Sequence, residues 1–178
     1  MFVLGVDPGL SRCGYGVVAG GEGGALTALA GGLIGTPASL PLPERLQVLS
    51  TELRGIVDEH RPAVVVVERV LFQVNARTAM ATGQAAGVAL LAAAEAGCEV
   101  AEYSSNEVKQ ALVGYGAASK AQVQRMVAKV LGLEAPPEPP DVADALALAV
   151  CHLTGRRLRD ALAAGQQPAG ATARGGRT

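Results

Sequence analysis

The segment Ala63-Val64-Val65-Val66-Val67, followed at once by Glu68, constrains this chain more than any other. The run is too short for a helix and is β-branched after its first residue, so it reads as a strand buried on both faces. What surrounds it says which kind of sheet it belongs to. Upstream, residues 2 to 6, 14 to 19 and 25 to 34 are apolar stretches separated by Gly-rich punctuation, which predicts three strands in an antiparallel meander. Between the meander and the valine run, Pro43 stands where a helix's first turn tolerates it. Leu46, Leu49, Leu53 and Ile56 then recur at helical spacing up to Arg61-Pro62.

Downstream, residues 76 to 96 form a second helical stretch and Glu99 to Tyr103 a fifth strand. Ser104 with Glu107, and Ser119 with Gln122, have the spacing of capping boxes at two further helix starts. After the Pro-rich turn 136 to 140, Asp141 is an N-cap candidate for a helix through about Leu158, with Val142, Leu146, Ala149 and Leu153 facing the core. The expected architecture is α/β: a mixed five-stranded sheet, antiparallel in its first three strands and then parallel, flanked by helices. At 178 residues the chain is one domain, against roughly 150 residues for a typical one. That domain is expected to span 1–158, with a flexible Gly/Ala/Arg-rich tail over 159–178.

Several function classes fall away on composition. The longest apolar run, Ala85 to Ala94, lies between Gln84 and Glu95 and is half the length of about 20 that a bilayer span needs. The N-terminus meets Asp7 too soon for a signal peptide, and the expected location is the cytoplasm. Cys13, Cys98 and Cys151 are odd in number and lack CxxC spacing, so neither a disulfide framework nor a zinc site is indicated. The net charge of −1 is uneven. From residue 156 onward there are five arginines against Asp160, a +4 tail on a −5 body, and this balance neither supports nor excludes a nucleic-acid partner.

The chemistry concentrates in acids. Asp7 closes the first strand before Pro8-Gly9, and Glu68 closes the valine strand. Either alone reads as the point where a buried strand reaches water. On a mixed sheet the two can converge on one point, where they repel unless a cation separates them. Asp141 and Asp144 form an i, i+3 pair on the first turn of the last helix, opposite its core stripe. Helix capping and the macrodipole account for Asp141 well and for Asp144 in part.

Four motifs in order carry a resemblance across most of the chain. Asp7-Pro8-Gly9 with Gly14-Tyr15-Gly16-Val17-Val18, then Val67-Glu68-Arg69-Val70 with Asn75 and Gly83-Gln84, then Val108-Lys109-Gln110 with Gly114, and finally Ala143 to Ala149 ending at His152 resemble the RuvC family of Holliday junction resolvases. The resemblance implies an RNase H-like fold and a structure-specific endonuclease that resolves Holliday junctions by symmetric paired nicks in recombination and repair. It carries over Asp7, Glu68, Asp141 and Asp144 as catalytic acids that bind divalent metal, and Lys109 and Lys120 as lysines that bind DNA, Lys120 also serving cleavage. Hard carboxylate oxygens independently suit Mg²⁺ or Mn²⁺. Two such ions about 4 Å apart stabilise the attacking and leaving oxygens of phosphodiester hydrolysis.

Lys109 and Lys120 fall at or near helix starts, where a cation opposes the macrodipole, so a phosphate near the acidic cluster is expected to favour them there. The family commonly places a junction-stacking aromatic at the position of Leu71. Phe72 beside it could serve as a base platform or be a core residue. The stretch Thr78 to Ala96 is small and apolar on more than one face, so it is either deeply buried or meets a partner. The resemblance implies a homodimer through this helix, and further partners in the junction-binding protein RuvA and the branch-migration motor RuvB. His60 and His152 read as a helix-end and a packed histidine. Two rivals are an actin-like phosphotransferase, which would have two halves, and a non-catalytic junction-binding dimer, which could dispense with the acids.

Overall fold

A computed structural model describes residues 1–70 and 76–165. Strands β1 (Phe2–Asp7), β2 (Arg12–Gly20) and β3 (Leu26–Gly35) form the antiparallel meander, and a single 3₁₀ turn at Glu22–Gly24 joins the last two. Helix α1 (Leu42–His60) leads to β4 (Val64–Glu68), α2 (Ala76–Glu95) to β5 (Glu99–Tyr103), and α3 (Ser105–Val113), α4 (Lys120–Leu131) and α5 (Pro140–Gly165) follow. The sheet order is β3-β2-β1-β4-β5, with β1–β4 and β4–β5 parallel. This is the mixed five-stranded α/β sheet the sequence predicts.

Strand alternation splits the core in two. Leu4, Val6, Val17, Val65 and Val67 face α1 and α2, whereas Val3, Val18, Val64 and Val66 face α5 with α3 and α4. All four valines of β4 are at most 1% exposed, which is why that strand shows no polar alternation.

Helix α5 departs from its expected form in three ways. It begins at Pro140, so Asp141 lies inside the first turn and is not the N-cap. A proline at the first helical position costs no hydrogen bond and presets φ, which moves the start one residue upstream. The helix also continues to Gly165, past the expected end near Leu158. Lastly, it is not a one-sided surface helix: every residue from Ala145 to Leu153 is buried, because α3 and α4 cover the face turned away from the sheet.

Candidate active site

Register and alternation together bring two carboxylates side by side. In β1, Val3 and Gly5 point toward α5, so Asp7, two residues further, points the same way; in β4, Val64, Val66 and then Glu68 do likewise. The parallel register pairs Gly5 with Val66 and Val6 with Val67, so Asp7 and Glu68 come next, at the carboxyl ends of adjacent parallel strands. That end of a parallel sheet is where open α/β folds place their ligands.

The second pair of acids is delivered by close packing. A Cβ at Gly5 would overlap the Ala145 carbonyl, one at Gly14 would overlap the Asp141 carbonyl, and one at Gly16 would lie 2.6 Å from the Leu146 side chain. These three glycines, all on the face of β1 and β2 that α5 covers, let the helix lie against the sheet backbone. Its first turn is thereby lowered onto the strand ends. The loop after Asp7 is held from the other side. Thr36 donates its hydroxyl to the Leu10 carbonyl, and Arg45 reaches Thr36 Oγ1 at 2.9 Å and Ser11 Oγ at 2.6 Å.

A cavity of about 290 Å³ results, lined by Asp7, Glu68 and Asp144 together with Ser105, Lys109 and Lys120 and floored by Val108, Val123, Ala147 and Leu148. Both capping boxes form as the sequence predicts, Ser104 with Glu107 and Ser119 with Gln122, and they fix the helix starts that carry Lys109 and Lys120. Lys120 pairs with Asp144, whose Oδ2 lies 2.5 Å from the ammonium. Arg69, next to Glu68, ties the strand end to α3 by donating to the Glu102 carbonyl at 3.2 Å and pairing with Glu107 at 3.5 Å.

The electrostatics of the cavity are those of crowded carboxylates. Burial, then the charges of Glu68 and Asp144, push Asp7 up to about 7, and its carboxyl donates a hydrogen bond to Glu68. Burial also raises Glu68 and Asp144, against the pull of Lys120 on both. Burial works against the charge on Lys120, yet its hydrogen bond to Asp144 and the nearby acids hold the ammonium protonated above its usual range. Asp141 is different. Arg12 Nη2 donates to its Oδ2 at 2.7 Å, and that bond draws the acid below the ordinary carboxylate range.

Of the expected site residues, the fold therefore gathers Asp7, Glu68, Asp144, Lys109 and Lys120 around one cavity, with Asp141 beside it and turned to Arg12. Leu71 and Phe72 lie outside the described residues. Arg12 and Ser105 carry no motif spacing of their own, and only the packing of α5 and α3 brings them to the site. His152 is buried and packed, with Tyr103 Oη 3.2 Å from its Nδ1, and His60 ends α1. Burial pushes the Cys13 thiol up to about 12 and the Cys151 thiol to about 11, so neither is a nucleophile.

The donor set suits a hard divalent cation, because Asp7, Glu68 and Asp144, with Asp141 beside them, offer hard carboxylate oxygens from rigid strand ends and one helix turn. Among the described residues no three acidic, histidine or cysteine side chains stand at ion-enclosing separation. Asp144 is paired with Lys120 and Asp141 with Arg12.

Comparison with known proteins agrees with this geometry. The family model for "Crossover junction endodeoxyribonuclease RuvC" matches residues 3–152. A protein of that name from Rhodococcus opacus is 54% identical over 152 residues, 85% of this chain and 80% of the relative. The solved RuvC of Thermus thermophilus superposes with a TM-score of 0.83 at 38% identity, covering 89% of this chain and 97% of that one. A structure of T. thermophilus RuvC in complex with Holliday junction substrate gives 0.81 at 35%, covering 89% and 96%. Sequence and fold point to one assignment: the chain belongs to the RuvC family of crossover junction endodeoxyribonucleases, divalent-metal-dependent nucleases of RNase H-like fold.

Proposed function

We infer that this chain resolves Holliday junctions by hydrolysing one phosphodiester in each of two symmetric strands, and that Asp7, Glu68, Asp141 and Asp144 are its catalytic acids. The observation that carries the reading is the meeting of Asp7 and Glu68, from adjacent parallel strand ends, with Asp144 and Lys120 in one cavity. The four acids would hold two Mg²⁺ or Mn²⁺ ions. Ions held there would supply activation of a water and charge neutralisation at the leaving 3′ oxygen. The protein's own part is to hold those oxygens at fixed positions on rigid strand ends. Asp7, raised by burial and the neighbouring acids, must be ionised to serve as a ligand. Lys120, at the first residue of α4, is placed to leave Asp144 for the scissile phosphate, and Lys109 on α3 adds a second positive charge at the rim.

Paired incision calls for two sites facing two strands, which a two-fold homodimer supplies. The dimer forms through α2, whose Met80 (66%) and Leu91 (53%) are exposed on the side opposite its buried alanines. Leu71 or Phe72 supplies the base platform, RuvA and RuvB are the partner proteins, and the enzyme acts in the cytoplasm.

Incubation of the purified protein with a four-way junction, with Mg²⁺ and with chelator, tests the reading. Asp7→Asn and Glu68→Gln should each abolish cleavage while leaving junction binding nearly intact, because removing negative charge does not weaken attraction to phosphate. Substantial cutting by Asp7→Asn would refute the assignment.

A further inference from the structure

Arg12 opens β2 and lies within the turn region that follows Asp7, five residues from the central acid of the cavity. Its guanidinium donates to Asp141 Oδ2 at 2.7 Å across 129 residues of sequence, tying that turn to the start of α5. Three of the four acids line the cavity and Asp141 does not, although it stands one helical turn from Asp144 on the same face of α5. The charge of Asp141 nonetheless acts on Asp144, whose carboxyl it helps to raise. An oxygen engaged by a guanidinium is not free to bind a cation, and the fixed positive charge repels one. The guanidinium itself is half-exposed, and its planar fork of donors matches a phosphate as well as a carboxylate.

We propose that Arg12 is a positioning residue that keeps Asp141 out of the metal-binding set in the free protein and releases it when a phosphate of the junction DNA takes the guanidinium. The idea rests on the reading of Asp141 as a metal ligand. It adds a regulation of that site: the fourth carboxylate becomes available only on bound substrate. Lys120 cannot substitute for Arg12, because it already engages Asp144 inside the cavity.

The test is calorimetric titration of Mg²⁺ into the intact, DNA-free protein. Arg12→Ala should bind Mg²⁺ about two- to fivefold more tightly than the parent, the range expected when one exposed ion pair no longer competes. Arg12→Lys should restore the weaker binding. In an Asp141→Asn background the gain from Arg12→Ala should vanish, which separates competition for that oxygen from a general loss of positive charge. At saturating Mg²⁺, Arg12→Ala should raise KM for the junction by a larger factor than it lowers kcat. Equal or weaker Mg²⁺ binding by Arg12→Ala, or the same gain without Asp141, overturns the proposal while leaving the carboxylate site standing. Undiminished Mg²⁺ binding by Glu68→Gln overturns that site, and the proposal with it.

Discussion

At the scale of single residues, Asp7 is the most consequential group because it is an acid held near neutrality inside the fold. Its folded-state value of about 7 lies above the ordinary 3.8, with burial as the first cause and the neighbouring acids next. Between those two values the folded chain holds a proton that the unfolded chain has lost. Stability on this account is complete below about pH 4 and is lost as pH rises toward 7. In the metal-free protein Asp7→Asn, a neutral near-isostere, should therefore be more stable than the parent at pH 8 by about 1–3 kcal/mol, and the difference should close near pH 4. Urea unfolding at the two pH values reads this directly, and a less stable Asn variant at pH 8 would contradict it. The site sacrifices stability for charge, a common condition of catalytic centres.

At the scale of elements, the approach of α5 to the sheet is what joins one pair of acids to the other. Gly14 faces the Asp141 carbonyl with no flexible side chain between, so Gly14→Ala has to lift the first turn of α5. A shift of even 1 Å at Asp141 and Asp144 would cost cleavage heavily, about 100-fold by the sensitivity typical of active sites. The stability loss should be the more modest ~1–3 kcal/mol of overpacking. Gly55, on the exposed side of α1 with open space around it, is the control. Gly55→Ala should leave cleavage unchanged and raise stability by about 0.5–1 kcal/mol through better helix propensity. Equal activity of Gly14→Ala and Gly55→Ala would show that the close approach of α5 is not what sets the site.

At the scale of the whole molecule, α2 is buried along one side through Ala85, Ala86, Ala89, Ala92 and Ala93, and exposes Met80 and Leu91 on the other. Leu90 packs against the α1–α2 core, so Leu91 is the residue that tests assembly without disturbing the fold. If α2 forms the dimer interface as proposed, Leu91→Glu would place an unpaired carboxylate in it, at a cost of several kcal/mol. The variant should scatter light as a folded monomer, bind junctions more weakly and no longer couple its two incisions. A dimer that survives Leu91→Glu would place the two-fold contact elsewhere.

The valine run, the two capping boxes and the Gly-punctuated meander are local signals, governed by side-chain shape and hydrogen bonds within four residues. The sequence by itself therefore determined β4, the starts of α3 and α4, and the mixed order of the sheet. That Asp7 and Glu68 end apolar strands was legible locally, whereas their reading as site acids came from the four-motif resemblance. The all-round burial of α5 over 145–153 and its exact start were not legible, since they depend on α3 and α4 covering the far face and on glycines in distant strands admitting the helix. Nor did any spacing announce that Lys120 pairs with Asp144 or that Arg12 takes Asp141. Those partners are set by the distance between elements far apart in sequence, and only packing fixes that distance.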